Sequence, residues 1–360
     1  MSKRLQLAIV LLTFIMITGC GKEQEKISSA PFVDVQENDL KEPKIVVEIQ
    51  EEAANISDTV GDSEEKDDLN DEDEATSYNV FESPYHFYDV FRKEYEMDVN
   101  PLIKPNRLKP ECFSYVGTDA TGKVISDIEI TDDTDIFVEG TQMQGYTGII
   151  RYEDDEYTSK FGIDVSKFQG NVNYEKVKAA GVEFVIVRVG FRGYGSSGSL
   201  SEDARYRQNI EGAKAVGLDV GVYFYAQAIN EEEAVEEAEY VLKLIEGYEL
   251  DLPIVYDPEH VLDDTARTDD VTGEQFTKNA KAFSDRIKEA GYEPMIYANM
   301  LWEAYELDFA SIPDVKIWYA DYELKPQSPY EFAMWQYSQA GHISGIDGGV
   351  DLNMMLVPTK

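Results

Sequence analysis

The residues best suited to do chemistry lie in residues 252–260, which read LPIVYDPEH. The apolar first half is typical of a buried parallel strand, and Asp257 and Glu259 come where such a strand ends. Alternate side chains of an extended chain point to one side, so both carboxyls should face the same cavity. In the other interpretation, Asp257 caps a turn at Pro258 and Glu259 is a solvated loop acid. The surrounding elements must decide between the two.

Beyond residue 157, short apolar strands alternate with amphipathic helices. This alternation predicts an α/β fold with a parallel sheet, and the number of strands predicts closure into an irregular, TIM-like barrel. Strands are predicted at residues 161–165, 184–189, 219–226, 252–256, 294–298, 316–320, 332–337 and 350–353. Helices are predicted at residues 174–180, 203–216, 231–246 and 273–290, each followed by a glycine suited to a left-handed cap: Gly181, Gly217, Gly247 and Gly291.

Four acids fall at strand ends in this arrangement. Asp164 ends the first strand, Asp257 and Glu259 follow the fourth, and Asp351 lies on the last. Because the first and last strands of a closed barrel are neighbours, Asp164 and Asp351 should meet across the seam. Carboxyls gathered in one mouth repel, which raises the pKa of at least one and keeps it protonated near neutral pH. Such a carboxyl pair is what cleavage of a glycosidic bond requires.

Aromatic residues at or near the same strand ends are candidates for stacking on sugar rings. They are Tyr225, Tyr297, Trp318, Tyr322 and Trp335. Any one of them can equally be a core residue, and it is the group that favours a sugar cleft. Residues 193–199, a glycine- and serine-rich loop with Tyr194, follow the second strand and should border the cleft.

Histidine and cysteine give no sign of a metal site. His86, His260 and His342 lack ligand spacing, so neither a metal nor another cofactor is expected. By alternation, His260 should point away from the cavity and form a structural hydrogen bond. Cysteine occurs only as Cys20 and Cys112, too few for a disulfide framework.

The charge is concentrated ahead of the barrel. The 360 residues carry a formal net charge of −39, which argues against a nucleic-acid partner because a polyanion would be repelled. Much of the acidity lies in residues 36–76, which lack aromatic side chains and therefore predict a disordered acidic tether.

A small α+β module is predicted between the tether and the barrel, at residues 78–157. Its expected elements are a helix at residues 85–97 and strands at residues 112–116, 123–130 and 135–138. Two interpretations of the module remain open: a substrate-binding accessory, or a packing extension of the barrel.

The amino-terminal residues read as an export signal. Lys3 and Arg4 precede an apolar run at residues 5–17, and the following ITGC resembles the lipoprotein box of bacteria. This resemblance implies that Cys20 is lipidated and that the protein is extracytoplasmic and membrane-anchored. The predicted organisation is a signal at residues 1–20, a linker at 21–77, the module at 78–157 and the barrel at 158–360.

Short motifs along the barrel together carry a family resemblance. They are FGIDVSKFQG at residues 161–170, VYDPEH at 255–260, WYADY at 318–322, WQYS at 335–338 and VDLN at 350–353. In their order and spacing they resemble glycoside hydrolase family 25, the Chalaropsis-type lysozymes. The resemblance does not cover the residues before about Tyr157.

The resemblance implies an irregular (β/α)5(β)3 barrel that cleaves the β-1,4 bond between N-acetylmuramic acid and N-acetylglucosamine in peptidoglycan. It implies that Glu259 is the general acid, that Asp257 orients the substrate N-acetyl group or a water, and that Asp164 and Asp351 support the pocket. Alternatives remain: a chitinase-like N-acetylhexosamine glycosidase, and a non-catalytic cell-wall-binding scaffold. An envelope protein partner is also compatible with the tether and module.

Overall fold

The structure is a computed structural model, and it describes residues 104–118, 124–128, 137–139, 142–261, 263 and 265–360. The predicted signal with Cys20, the linker at residues 21–77 and the helix at residues 85–97 lie outside these residues. No helix in the described ranges has the length and apolar character needed to cross a bilayer.

Short strands precede the barrel and pack against it. They are β1 Phe113–Thr118, β2 Val124–Ile128, β3 Phe137–Glu139, β4 Gln142–Gly145 and β5 Ile149–Tyr152. β1 pairs antiparallel with β2 and β5, and β4 pairs with β3 and with Ser338 of the barrel. The Phe113 ring lies 6.1 Å from that of Trp335, edge to face. The three predicted strands of the module are therefore confirmed with slightly different ends, and this part of the module packs on the barrel.

Eight strands within the described residues close into the predicted barrel. They are β6 Tyr157–Val165, β7 Phe184–Arg192, β9 Asp219–Ala226, β10 Ile254–Pro258, β11 Pro294–Asn299, β12 Lys316–Ala320, β13 Met334–Gly341 and β14 Val350–Pro358, with β8 Leu200–Glu202 forming a hairpin on β7. Neighbours run parallel from β6 round to β13. β14 closes the ring antiparallel to β13 and β6, because the connection at residues 342–349 is too short for a crossover.

Amphipathic helices follow the first strands of the barrel. They are α1 Tyr174–Ala179, α2 Tyr206–Ala215, α3 Glu231–Leu244 and α4 Gly273–Glu289. A short π-helix, Trp302–Glu306, follows β11 and completes five β/α units before β12, β13 and β14. The predicted glycine caps are confirmed, because residues 181, 217, 247 and 291 all have positive φ. The predicted (β/α)5(β)3 architecture is thus confirmed.

Several element boundaries differ from prediction, and two of these differences have an identifiable reason. α2 begins at Tyr206 and not at Asp203, because the Asp203 carboxylate accepts hydrogen bonds from the backbone N–H groups of Lys167 and Arg205. β10 begins at Ile254 because Pro253 has no N–H to donate to the ladder.

The barrel interior is separate from the outer core between strands and helices. The interior cluster consists of Phe184, Ile186, Val255, Met295, Tyr297, Trp318, Ala320, Met334 and Met355. On β7, Val185 and Val187 belong to the outer core instead. Inward and outward positions therefore alternate along each strand, and this alternation decides which side chains enter the barrel.

Gly162 on β6 tests how tightly this interior is packed. A Cβ at Gly162 would lie 2.3 Å from the ring of Phe184, which is fully buried. We expect Gly162→Ala to lower the free energy of unfolding by about 1–3 kcal/mol, measured by urea denaturation. Gly195→Ala is the control, because a Cβ there meets nothing within 4 Å. Equal stability of the two variants would show that the interior tolerates the added methyl group.

Candidate active site

Alternation along β10 turns both of its predicted acids toward the barrel mouth. Val255 belongs to the interior cluster, whereas Ile254 and Tyr256 belong to the outer core. Asp257 therefore faces inward, and Glu259 follows on the same side just after the strand ends at Pro258. The interpretation of Asp257 as a turn cap is wrong, because Asp257 lies within the strand, paired with Tyr225 of β9.

Asp164 and Asp351 meet across the seam of the barrel, as the sequence predicts. They are direct partners in the antiparallel pairing of β6 with β14, and their carboxyls share a hydrogen bond. Two carboxyls share a hydrogen bond only when one of them is protonated. Burial raises the pKa of both, and the nearby Asp164 raises the pKa of Asp351 well above its ordinary value. The proton therefore resides on Asp351.

Side-chain amides favour the ionised form of Asp164. Gln336 Nε2 and Asn353 Nδ2 donate to Asp164 Oδ2 at 2.9 and 2.8 Å, and these bonds oppose the rise in pKa that burial causes. The amide oxygens are bonded in turn: Asn353 Oδ1 accepts from Trp318 Nε1 at 2.8 Å, and Gln336 Oε1 accepts from the Tyr297 hydroxyl at 2.9 Å. The network fixes Asp164 as an acceptor, because unpaired polar groups at this depth would cost stability.

Asp257 and Glu259, at the end of β10, have raised pKa values and, within the part of the chain that the structure describes, lack the amide donors that Asp164 has. Asp257 is 5% exposed, and among the described residues its buried Oδ1 has no hydrogen-bond partner. Burial, followed by the charge of Asp164, raises the pKa of Asp257 to about 8. Glu259 is half-buried, and burial together with the charges of Asp257 and Asp351 raises its pKa well above the ordinary value. These effects favour the protonated form of Glu259.

Arg188 supplies the positive charge that faces these acids. It is the next inward residue of β7 after Ile186, and its charge opposes the rise in the pKa of Asp257 and of Glu259. Its guanidinium is fixed by Asp203, whose Oδ2 accepts from Nε at 2.9 Å and from Nη2 at 2.8 Å. Fixed in this position, the charge of Arg188 limits the repulsion among the carboxyls, while its guanidinium is bonded to Asp203 and not to Asp257 or Glu259.

Four of the predicted aromatic residues border the acids. Tyr225 is half-buried, and Glu259 and Asp257 add to the rise that burial causes in its pKa. The half-buried Tyr322 donates to Gln336 Oε1 at 3.2 Å. Tyr297 and Trp318 are almost fully buried beneath the mouth, where they hold the amide network. Tyr225 and Tyr322 are thus the two of this group that solvent reaches.

Trp335 is the correction to the predicted set. It is fully buried in the outer core, where its Nε1 donates to Asp321 Oδ1 at 2.9 Å. Met334 belongs to the interior cluster and Gln336 contacts Asp164, so Trp335 between them faces outward. The structure therefore places Trp335 away from the mouth, where it stabilises the packing between module and barrel.

His260 has the structural role that alternation predicts. Its Nε2 lies 3.2 Å from Glu306 Oε1, and its ring stacks on Trp302 at 4.8 Å between centroids. Phe276 packs edge-on against the same imidazole. These contacts hold His260 against α4 and the π-helix, away from the acid cluster of the barrel mouth.

Three functional residues escaped the sequence analysis: Arg188, Gln336 and Asn353. Arg188 interrupts the otherwise apolar strand text FVIVRVGF, and a charge in such a strand signals a buried partner. Gln336 and Asn353 lie within the WQYS and VDLN motifs, where Trp335 and Asp351 drew attention instead. Tracking the inward positions on β13 and β14 would have identified both amides.

This arrangement is suited to proton transfer at a bond between sugars. It combines an accessible carboxyl with a raised pKa, a second acid two residues away and an amide network that favours the ionised form of a third. No group of three or more His, Cys, Asp or Glu in the described part of the chain is arranged to hold a metal ion. The chemistry that these residues can perform is general acid–base catalysis.

A separate cavity of about 550 Å³ opens at the other end of the barrel. Its lining includes Tyr157 at the start of β6 and Leu356 near the end of β14, together with the charged residues Lys104, Arg107, Glu156 and Glu331. It therefore lies at the amino ends of the parallel strands, whereas reactive groups of such barrels lie at the carboxyl ends. The cluster of carboxyls at the carboxyl end of the barrel, and not the volume of this cavity, identifies the barrel mouth as the candidate site.

Comparisons with known proteins agree on one family. The model of glycosyl hydrolases family 25 matches residues 163–346. The autolytic lysozyme of Clostridium acetobutylicum is 29% identical over 193 residues, which are 53% of this chain and 54% of that protein. Lysozyme M1 of Streptomyces globisporus is 28% identical over 205 residues, which are 53% of this chain and 66% of that protein. The chain thus spans between half and two thirds of the length of these relatives.

A solved structure supports the fold. The modular autolysin LytC from Streptococcus pneumoniae aligns with a TM-score of 0.50 at 23% identity, over 71% of this chain and 58% of that chain. At this identity the similarity concerns the barrel architecture alone.

Asp257→Asn tests the electrostatic cost of the site. The pKa of Asp257 is raised in the folded protein, so its contribution to stability is fully present below pH 4 and is lost as pH rises toward 8. We expect Asp257→Asn to match the parent near pH 4 and to exceed its free energy of unfolding at pH 8 by on the order of 5 kcal/mol, in urea titrations. Glu175→Gln, an exposed acid on α1, is the control. An Asn variant less stable than the parent at pH 8 would contradict this account.

Proposed function

Because the chain belongs to glycosyl hydrolases family 25, we propose that it is a lysozyme that cleaves the β-1,4 bond between N-acetylmuramic acid and N-acetylglucosamine in peptidoglycan. The observation that carries this proposal is the half-buried Glu259, whose pKa is raised by burial and by Asp257 beside it, at the carboxyl end of the barrel. The proposed substrate is the glycan strand, and the reaction needs neither metal nor organic cofactor.

Glu259 is the proposed general acid. Among the four carboxyls, Asp164 is committed to amide donors, Asp351 to Asp164, and Asp257 is almost fully buried. Glu259 combines partial exposure with a raised pKa, which is what a proton donor to a glycosidic oxygen needs. As the bond to the leaving sugar breaks, the Glu259 proton passes to the glycosidic oxygen and positive charge builds on the other ring.

Asp257 is proposed to act on the charged side of the breaking bond. Its buried Oδ1 has no hydrogen-bond partner among the described residues, and it is proposed to accept a hydrogen bond from the substrate N-acetyl N–H or from a water. Holding the N-acetyl group would turn its oxygen toward the anomeric carbon and lead to retention, whereas holding a water would lead to inversion. Once Glu259 gives up its proton, the negative charge beside Asp257 favours retention of the proton on Asp257.

Asp164 and Asp351 are proposed to control the electrostatic environment, and so the pKa values, of Asp257 and Glu259. The charge of Asp164 contributes to the raised pKa of both Asp257 and Glu259. The amides of Gln336 and Asn353 preserve that charge. The half-buried rings of Tyr225 and Tyr322 are the proposed sugar-stacking surfaces.

The proposed location follows from the amino-terminal sequence. The positive start, apolar run and ITGC text support export and lipidation at Cys20, with residues 21–77 linking the anchor to the folded part. A hydrolase held at the membrane surface would act on nearby peptidoglycan, and tethering would compensate for the repulsion between its net charge of −39 and anionic wall polymers. A further envelope partner is compatible with this location.

Removal of the proton donor is the direct test of the mechanism. We expect Glu259→Gln to lower kcat on purified peptidoglycan by about 10²–10⁴-fold while the melting temperature does not fall, because the amide cannot donate the proton but fills the same space. Glu232→Gln, an exposed acid of α3, is the matched control. Borohydride reduction of the products identifies the cleaved bond. Reduced muramic acid supports the proposal, whereas reduced glucosamine, release from chitin alone, or full activity of Glu259→Gln would contradict it.

Lipidation has its own test. In a bacterial host fed a radiolabelled fatty acid, we expect the parent protein to carry the label and to sediment with membranes. Cys20→Ala should lose both properties because the acylated thiol is gone. Cys112→Ala, which removes the other cysteine, should retain them. Equal labelling of the parent and Cys20→Ala would exclude Cys20 as the anchor.

A further inference from the structure

Gln227 makes a direct hydrogen bond to the backbone of the proposed general acid. It is the residue immediately after β9, it is 1% exposed, and its Nε2 donates to the carbonyl oxygen of Glu259 at 2.7 Å. Its Oε1 accepts from Thr268 Oγ1 at 3.1 Å. The orientation of the amide is therefore fixed from both sides.

The position of this bond is set by the end of the β10 ladder. The last pairing between β9 and β10 joins Ala226 to Pro258, and proline has no N–H with which to continue the ladder. Glu259 is thus the first residue beyond the end of the β10 ladder. The Gln227 side chain takes over where the ladder stops, and it bonds the carbonyl of the one residue whose side chain must be placed for proton transfer.

The Gln227 backbone is itself held by buried ionic groups. Its N–H donates to Glu237 Oε1 at 3.1 Å, and its carbonyl accepts from Arg267 Nη1 at 2.9 Å. Glu237 is fully buried and also accepts from Arg192 Nε at 2.8 Å. Arg267 forms a bidentate pair with Glu233 at 2.6 and 2.7 Å. Bidentate pairs of this kind fix geometry as well as charge.

These ionic groups join the loops that follow β7, β9 and β10. From β7, Arg192 Nη1 donates to the carbonyl of Gly198 at 2.8 Å. From the loop after β10, the backbone N–H of Arg267 donates to the carbonyl of Tyr194 at 2.9 Å. Gly198 lacks the Cβ that would lie 2.4 Å from Arg267 Cζ, which allows the loop to close over the guanidinium. The bond to Glu259 is thus anchored in three loops at once.

We propose that Gln227 is a positioning residue for Glu259. Through its Nε2 bond to the Glu259 carbonyl oxygen, it keeps the Glu259 carboxyl beside the other carboxyls of the barrel mouth. This inference rests on the proposed function of Glu259. Gln227 does not touch the substrate; it determines where the proton donor stands when the substrate arrives.

The electrostatics of the mouth give this positioning a measurable consequence. Glu259 faces Asp257, Asp351 and Asp164, which together with burial raise its pKa, and Arg188, which lowers it. The nearby tyrosines 225, 297 and 322 complete the surroundings of its carboxyl. If the Glu259 backbone moves outward, the carboxyl gains water and loses its acidic neighbours, so its pKa falls toward that of a free glutamate.

The test compares Gln227→Met with the parent protein and with Gln208→Met, a matched change at an exposed glutamine of α2. Methionine keeps the length of the side chain but cannot donate to the carbonyl. We expect Gln227→Met to lower kcat on peptidoglycan about 10- to 100-fold with KM within about two-fold, because the donor is misplaced and the binding surfaces are not. We also expect the alkaline limb of its kcat–pH profile to move to lower pH. Gln208→Met should match the parent in all three quantities.

Thr268→Val provides a milder second variant, because it removes only the hydroxyl that orients the Gln227 amide. It should show a smaller loss of kcat with the same direction of pH shift, and it decides the question if Gln227→Met does not fold. Parental kcat and pH profile in Thr268→Val and in any folded Gln227→Met would overturn the positioning role while leaving the hydrolase function intact. A loss of melting temperature without a shift of the alkaline limb would reduce Gln227 to a structural residue. An inactive parent protein would overturn the proposed function and the role of Gln227 together.

Discussion

Carboxyl groups are stable inside a protein only where hydrogen-bond donors or opposite charge surround them, and the barrel interior is organised around this requirement. The amides of Gln336 and Asn353 meet Asp164, Asp351 keeps a proton, and Arg188 faces the remaining acids from β7. These groups stand on four strands: Asp164 on β6, Arg188 on β7, Gln336 on β13, and Asp351 and Asn353 on β14. Closure of the barrel therefore brings the hydrogen-bond donors and the positive charge to the carboxyls, which offsets the cost of burying them. These carboxyls in turn supply the reactive groups of the barrel.

The same requirement explains how stability and function oppose each other here. The apolar layer formed by residues such as Phe184 and Met334 supplies the packing, and the layer above it is polar and electrostatically unfavourable. Proteins commonly accept such local cost at active sites and offset it elsewhere. In this chain the offset lies in the outer core, where fully buried residues including Trp335 and Phe283 fill the space between strands, module and helices.

Periodicity explains why so much of the architecture was accessible from the sequence. The strands β9 and β12 coincide with their predictions, and the acids on β6, β10 and β14 could be brought together from barrel closure alone. It was harder to predict which side chains of a strand face the barrel interior. Trp335 and Gln336 are adjacent, and only the neighbouring inward residues reveal which of them enters the barrel. The partner of Arg188 was also hidden, because Asp203 lies at the start of the predicted helix at residues 203–216, and its contacts with Lys167 and Arg188 form only in the folded chain. Local patterns specify the elements, whereas contacts between distant loops exist only in the folded chain.

The antiparallel seam between β6 and β14 has a consequence for how the protein is made. β14 is the last strand of the barrel to be synthesised, yet it carries Asp351 and Asn353, both bonded to Asp164 on the first. A chain that emerges from its amino end therefore lacks an assembled acid cluster until β14 has arrived and paired over a long loop, which is intrinsically slow. Assembly of the acid cluster is thus coupled to the arrival and pairing of β14, so a chain that stops before Val350 lacks both Asp351 and Asn353.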